Sequence, residues 1–464
     1  MKVKRLKMQS FRGIGDLTLE FNETEPIVLI GINGVGKSSI LDCLAILLSQ
    51  ITGSIQNSVD VIRSFHKQDI TNGSKDTRNE ITVLLELREF TWSLTQIQNE
   101  VRKNLTSLLA SLITTVELLG LVRENESIKI TLEEKLGQSF NDLSIKVRAN
   151  TASDLPEELR AVVNELRSQI ENNPKVNLPL AVYYPVNRAV LDIPLEIAEK
   201  YEFKQIDSYE QSLTGGKIDF KSFFEWFRNR EDLENELRRD NLNYRDRQLE
   251  SVRGAITSLQ PKFSDLRVER LPLRMTVIKH GQELIINQLS DGEKCLLAMV
   301  GDLARRLAIA NPGLTEPLEG EGVVLIDEIE LHLHPKWQRE IIPALTRTFP
   351  NCQFIVTTHS PQVISQVKPE GIYILEKTDE GVVAKRPESS FGRDSNRILE
   401  DLMGVPERPQ EIKESLLELF RLIDAGNIEG ARQLRQQLAI EIGADEPEFV
   451  KADVLIRRKE ILNR

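Results

Sequence analysis

A glycine-rich loop near the N-terminus constrains the fold of this chain more than any other feature of its sequence. The loop is Gly31-Ile-Asn-Gly-Val-Gly-Lys-Ser-Ser39, and it lies between the apolar residues 27–30 and a segment, 39–48, with the apolar spacing of a helix. A loop between a buried strand and a helix can turn main-chain N–H groups toward phosphate oxygens, and the helix dipole adds positive potential there. The sequence therefore predicts a nucleotide-binding site on an α/β fold.

Each residue of the loop has an expected role in that site. Lys37 reaches the β- and γ-phosphates of ATP, and the Ser38 hydroxyl binds Mg²⁺, because this spacing places both at the start of the helix. The loop residues that we expect to contact the nucleotide are Asn33, Gly34, Val35, Gly36, Lys37, Ser38 and Ser39.

A second motif, Gly322-Val-Val-Leu-Ile-Asp327-Glu328, has four apolar residues followed by two carboxylates. This pattern is typical of a buried parallel strand that delivers acids to its carboxyl end. Neighbouring side chains point in different directions, so the two acids can have different roles. We expect Asp327 to complete the Mg²⁺ site beside Ser38, and Glu328 to polarise the water that attacks the γ-phosphate.

Composition limits the class of protein. The chain has 464 residues, 28% of them charged, and no run of eighteen apolar residues, so we expect no membrane-spanning segment. The basic N-terminus lacks the apolar stretch of a secretory signal, and the three cysteines are far apart, which is typical of a reduced, cytoplasmic protein. A net charge of −11 argues against a surface that attracts nucleic acid broadly.

The segment Leu289-Ser-Asp-Gly-Glu-Lys294 resembles the signature motif of ABC-type ATPases. In that family the signature contacts the γ-phosphate held by the opposite subunit, so the resemblance implies a head-to-tail homodimer with two ATP molecules at its interface. The residues it assigns to nucleotide binding are Ser290, Asp291, Gly292 and Glu293. A helix N-cap is the alternative, since Ser290 and Glu293 fit a capping box, and both can hold at once.

Further residues follow from the resemblance to ABC, SMC and RecF-like ATPases. His359 ends the apolar run 354–358 at the family's switch position, near the γ-phosphate. Arg12 resembles the N-terminal arginine that approaches bound nucleotide, with a simple salt bridge as the alternative. Gln68 is the candidate for the glutamine that completes the Mg²⁺ shell.

The implied fold class is α/β: an ABC-ATPase head with a mixed N-terminal β subdomain, a parallel-sheet core, helical insertions between the phosphate loop and the signature, and a helical C-terminal tail. The gap from Ser38 to Leu289 is much longer than a transporter ATPase needs and much shorter than the coiled coil of an SMC protein. The expected segments are a first ATPase lobe (1–90), a helical insertion (91–177), a return to the core (178–207), a second helical insertion (208–260), a second ATPase lobe (261–386) and the tail (387–464).

The combination of motifs most resembles the PtuA ATPases of Septu and retron-associated anti-phage systems, over most of the chain. The motifs are Leu180-Ala-Val-Tyr-Tyr-Pro-Val-Asn-Arg188, Phe223-Phe-Glu-Trp-Phe227, the signature, Asp327-Glu-Ile-Glu-Leu-His-Leu-His-Pro335 and Thr358-His-Ser-Pro361. Family membership implies a separate HNH nuclease partner, PtuB, and contact with nucleic acid through that complex. No Asp-x-Asp pair follows His359, so we expect no nuclease activity from this chain itself. The alternative is a RecF-like repair ATPase that clamps DNA directly.

Overall fold

A computed structural model of the protein describes residues 1–58, 60–98, 155–173, 175–188, 203–379 and 381–462. Most of the first predicted helical insertion, residues 99–154, lies outside these described residues. The described chain forms two compact units, Met1–Arg393 and Asp394–Arg464, and each is treated by itself.

The N-terminal sheet has four antiparallel strands in the order β2-β1-β4-β5. Their bounds are β1 (Lys2–Gln9), β2 (Leu17–Glu20), β4 (Asp76–Leu85) and β5 (Arg88–Ile97). The prediction of helix from residue 91 was wrong at this point, because β5 pairs with β4 along its whole length. Burial of Phe90, Trp92 and Leu94 on one face shows the two-residue period of a strand. The first lobe therefore extends to Ile97.

The central sheet has six strands in the order β13-β12-β3-β11-β10-β6. The strands are β3 (Ile27–Gly31), β6 (Leu180–Tyr184), β10 (Gly322–Ile326), β11 (Cys352–Thr357), β12 (Ile372–Thr378) and β13 (Gly381–Lys385). All neighbours are parallel except β12 and β13. Because the carboxyl ends of parallel strands meet at one edge, the loops after β3, β11 and β10 lie side by side.

A smaller antiparallel sheet, β7 (Phe263–Arg270), β8 (Leu273–Lys279) and β9 (Gln282–Ile285), precedes the signature segment. Together with the N-terminal sheet and the parallel core, it gives the mixed α/β architecture that the sequence predicted.

Seven helices are described in the first unit. They are α1 (Lys37–Gln56), α2 (Glu157–Asn172), α3 (Phe220–Leu237), α4 (Arg247–Leu259), α5 (Asp291–Ala310), α6 (Pro335–Thr348) and α7 (Pro361–Ile364). Helix α1 has the length and apolar composition of a membrane span, but most of it is buried, as in the core helix of a globular domain. The aromatic residues of α3 are also core residues: Phe223, Phe224, Trp226 and Phe227 are each at most 1% exposed.

The second unit consists of four helices, α8 (Ser395–Asp401), α9 (Gln410–Asp424), α10 (Ile428–Ile442) and α11 (Pro447–Leu462). Its own apolar core includes Leu419, Ile423 and Phe449. The tail is helical as predicted, but it begins later than residue 387. Residues up to Arg393 belong to the first unit, where the Ser390 hydroxyl donates to the Val367 carbonyl at 2.6 Å.

Candidate functional site

The phosphate loop joins β3 to α1 with a backbone that only glycine adopts readily. Gly36 has φ of 112° at the N-cap of α1, and Gly31 lies so close to β12 that an added Cβ would be 2.5 Å from the Leu375 carbonyl oxygen. No side chain caps α1, and its first turn has no acidic residue. The N–H groups and positive dipole of the helix start are therefore available to an anion.

Lys37 lies over this loop. Its Nζ donates to the carbonyl oxygens of Gly31 at 2.9 Å and Ile32 at 3.1 Å. Burial lowers the pKa of Lys37, and the negative charges of Asp327, Glu328 and Glu330 oppose that shift. The strand order β3-β11-β10 places these acids at the same edge of the sheet as the phosphate loop.

One hydroxyl connects the two acids at the end of β10. The Thr357 Oγ1, at the end of β11, donates to Asp327 Oδ1 at 2.6 Å and accepts from the Glu328 main-chain N–H at 2.7 Å. Asp327 is buried at 3% exposure, whereas Glu328 is partly exposed. Asp327 is thus held with one oxygen engaged, and Glu328 is accessible to solvent, as a residue that acts on a water must be.

His359, the predicted switch residue, follows a segment that is fixed by an acid that the sequence did not single out. Glu330 accepts from the His359 main-chain N–H at 2.6 Å and from the Thr358 hydroxyl at 2.7 Å. Arg188, also missed, donates to the main-chain carbonyls of Asp327 and Glu328. The sequence features that could have indicated Glu330 and Arg188 are a third acid two residues after Glu328 and an arginine soon after β6. Only the pairing of β6, β10 and β11 brings these residues to one site.

Arg12 forms ion pairs with Asp42 and Asp69, each at 2.7 Å, and its guanidinium stacks on the Phe11 ring. The salt bridge that the sequence left as an alternative is therefore present.

Gln68 is exposed beside Asp69. Within the described residues no hydrogen bond connects Gln68 to the acids after β10, and its place in a Mg²⁺ shell stays a prediction.

The signature segment starts α5, and its capping box is present. Glu293 accepts from the Ser290 N–H at 3.1 Å and hydroxyl at 2.9 Å, and Lys279 pairs with Glu293 at 2.6 Å. Burial raises the pKa of Glu293, but the bonds from Lys279 and Ser290 outweigh it and lower the pKa overall. Ser290 and Asp291 are exposed, whereas Gly292 and Glu293 are buried. No described hydrogen bond or ion pair joins this segment to the phosphate loop of the same chain.

The residues of the phosphate loop and the acids after β10 fit a nucleotide with Mg²⁺. The described residues contain no group of three or more His, Cys, Asp or Glu side chains arranged to hold a metal ion. Mg²⁺ bound with a nucleotide needs no such group, because water and phosphate oxygens supply most of its ligands. Ser38 is exposed and Asp327 keeps its second carboxylate oxygen, so both stay the predicted protein ligands of such an ion.

Comparison with known proteins gives a matching family. A family model described as "AAA domain, putative AbiEii toxin, Type IV TA system" matches residues 27–365. The chain is 29% identical to the Retron Ec83 probable ATPase of Escherichia coli, over 99% of this chain and 87% of that protein. It is 31% identical to the Septu protein PtuA of Bacillus thuringiensis, but over only 32% of this chain and 39% of PtuA.

Among solved structures, an SMC head bound to the C-winged helix domain of ScpA is similar, with a TM-score of 0.44 and 14% identity, over 83% of this chain and 98% of that one. The family model covers more than half of the chain and contains the phosphate loop, the signature, both acids and the switch histidine. The chain therefore belongs to this family of AAA-domain ATPases.

Proposed function

We propose that this chain binds and hydrolyses ATP as a subunit of a cytoplasmic bacterial anti-phage defence system, and that its nucleotide state controls a separate HNH nuclease. The observation that carries the ATPase assignment is the Thr357 hydroxyl, which holds Asp327 and Glu328 together near Lys37. The defence role is supported by the similarity to the retron probable ATPase and to PtuA.

Each residue has one task in the proposed reaction. ATP supplies the phosphoanhydride bond, and Lys37 and the N-terminus of α1 hold its β- and γ-phosphates. Ser38 and Asp327 would hold Mg²⁺, which would neutralise charge on those phosphates. Glu328 accepts a proton from the attacking water, and His359 contacts the γ-phosphate side of the site.

The site is completed by a second copy of the chain. Ser290 and Asp291 are exposed at the start of α5, whose first-turn N–H groups can approach an anion, yet they make no described contact with their own phosphate loop. A head-to-tail homodimer would bring the signature of one copy to the nucleotide of the other. The nuclease partner, and nucleic acid through it, would respond to the closure of that dimer.

Two substitutions test the ATPase assignment. Glu328→Gln should lower the rate of ATP hydrolysis by about two to four orders of magnitude, because the amide cannot accept the proton, while ATP binding persists. Lys37→Ala should weaken ATP binding itself. Steady-state phosphate release and equilibrium titration with a fluorescent ATP analogue give the two quantities.

The matched control is Glu340→Gln, the same chemical change at an exposed position of α6. It should hydrolyse ATP at the wild-type rate. Wild-type turnover in Glu328→Gln would remove the proposed base, and absence of turnover in the wild type with Mg²⁺ would overturn the ATPase itself. Co-purification with an HNH protein encoded in the neighbouring reading frame tests the partner.

A further inference from the structure

Arg188 is a buried cation behind the proposed catalytic acids. It follows β6 by four residues, and only 1% of its surface is exposed. Its Nη2 donates to the Glu328 carbonyl at 2.7 Å, and its Nη1 donates to the carbonyls of Asp327 and, at 3.3 Å, Pro185. The guanidinium thus holds two consecutive main-chain carbonyls with two different nitrogens.

This burial is costly for a residue whose only task is to stabilise the fold. Within the described residues Arg188 forms no ion pair with a carboxylate, and its buried Nε has no hydrogen-bond partner. Other buried arginines of the chain are neutralised: Arg305 and Arg306 both pair with Asp302. A buried charge without an ionic partner destabilises a protein unless strong hydrogen bonds compensate it.

The backbone that Arg188 contacts is strained. Glu328 has φ of 46°, in the left-handed region that a non-glycine residue adopts only at an energetic cost. Its N–H is bound by Thr357 and its carbonyl by Arg188, so both peptide groups of Glu328 are fixed. The left-handed turn directs the chain away from β10 and leaves the Glu328 side chain partly exposed at the edge of the sheet.

We propose that Arg188 is a positioning residue for ATP hydrolysis: its forked guanidinium holds the strained Asp327-Glu328 backbone and thereby orients the Glu328 carboxylate. This inference rests on the proposed function. A planar guanidinium can donate to both carbonyls in fixed directions, whereas the single ammonium of a lysine cannot reproduce that fork. Arg188 is buried, and its described hydrogen bonds go to main-chain carbonyls only, so its loss should affect turnover more than nucleotide binding.

The test compares Arg188→Lys with Arg386→Lys. Arg386 also donates to two main-chain carbonyls, those of Glu20 and Glu370, but it follows β13 at the opposite edge of the sheet. We expect Arg188→Lys to lower kcat by roughly 10- to 100-fold, the usual effect of losing an outer-shell partner, with the Kd for ATP changed by less than about twofold. Arg386→Lys should retain wild-type kcat.

A double variant shows whether Arg188 positions Glu328 or only stabilises the fold. If Arg188 acts through the Glu328 carboxylate, adding Arg188→Lys to Glu328→Gln should lower the residual single-turnover rate by less than about twofold. If Arg188→Lys lowers the rate by the same factor in the wild type and in Glu328→Gln, the proposal is overturned. A wild-type kcat in Arg188→Lys would also overturn it. An inactive wild type would instead contradict the proposed function. If Arg188→Lys unfolds, Arg188→Gln, which keeps one donor, is measured against the same criteria.

Discussion

At the scale of single residues, small buried groups hold the proposed catalytic acids in place. Thr357 is 0% exposed, and its hydroxyl donates to the Asp327 carboxylate and accepts from the main-chain N–H of Glu328. A serine can make the same two bonds, whereas a valine of almost the same shape can make neither.

Thr357→Val should therefore lower both stability and turnover. The buried N–H of Glu328 would lose its partner at a cost of about 1–3 kcal/mol, and Asp327 would be free to turn. Urea unfolding and the Mg²⁺ dependence of ATP hydrolysis measure the two effects. Thr357→Ser is the control and should remain near wild type; equal losses in both variants would show that the methyl group, not the hydroxyl, matters.

At the scale of elements, helix α5 and the loop after β10 are in direct contact. A Cβ added at Gly292 would lie 2.3 Å from the main-chain carbonyl oxygen of His332, a residue that itself has φ of 62°. The signature glycine is therefore needed for close approach of α5 to the segment that contains Glu328 and Glu330. Movement of one element should displace the other.

Gly292→Ala tests this contact. Overpacking against a rigid carbonyl should cost about 1–3 kcal/mol and reduce ATP turnover, because the loop carrying the acids must move. Gly254→Ala is the control: this glycine lies within α4 with no atom within 4 Å of an added Cβ, so alanine should stabilise the helix by up to about 1 kcal/mol. The melting temperatures of the two variants should shift in opposite directions, and phosphate release should fall in Gly292→Ala only. A Gly292→Ala variant as stable and active as wild type would argue against the contact.

The middle of α5 is held by a second buried network. Asp302 accepts from Arg305 at 2.8 Å, Arg306 at 2.7 Å and the Tyr184 hydroxyl at 2.9 Å. Burial raises the pKa of Asp302, but the charges of Arg306 and Arg305 outweigh burial and lower the pKa below its ordinary value. The ionised carboxylate therefore contributes stability above the unfolded-state pKa of about 3.9, and this contribution is lost as the pH falls through the lower folded-state pKa.

Asp302→Asn should destabilise the protein by about 3–5 kcal/mol at pH 7, because two buried guanidinium groups lose their counter-charge. The difference from wild type should begin to shrink when urea unfolding is repeated below about pH 4, where Asp302 of the unfolded wild type becomes protonated, and should shrink further as the pH falls toward the lower folded-state pKa. Tyr184→Phe, which removes a single neutral donor, should show a smaller loss. If the difference in unfolding free energy between wild type and Asp302→Asn stays constant at acid pH, the role of the Asp302 charge is contradicted.

Functional residues that follow a single strand could be predicted from the sequence. Contacts between residues on different strands could not. Asp327 and His359 each come soon after a run typical of a strand, and Lys37 follows the glycine-rich loop after another, so period and motif place them at one edge of the sheet. Arg188, Glu330 and Thr357 gain their roles only because β6, β10 and β11 are neighbours, and no local pattern encodes that pairing. Strand β5 was missed because its short alternation runs directly into a long segment whose sequence has the amphipathic spacing of a helix.

At the scale of the whole molecule, the proposed site has two parts that no described hydrogen bond or ion pair joins within one chain. The phosphate loop, Asp327 and Glu328 lie at one edge of the parallel sheet, while Ser290 and Asp291 are exposed at the start of α5. In the proposed head-to-tail dimer, hydrolysis would depend on assembly, and a separate nuclease could respond to that assembly. The net charge of −11 is more compatible with a protein partner than with direct clamping of DNA.

Mixing two inactive variants tests the divided site most directly. Lys37→Ala removes the phosphate loop's lysine and Ser290→Arg blocks the signature, so each variant alone should be inactive. In a head-to-tail dimer both lesions fall in one site of the mixed pair and leave the other intact, so an equal mixture should recover about a quarter of the wild-type ATPase rate. A mixture that stays inactive, while wild type hydrolyses ATP and both variants remain folded, would contradict the shared site.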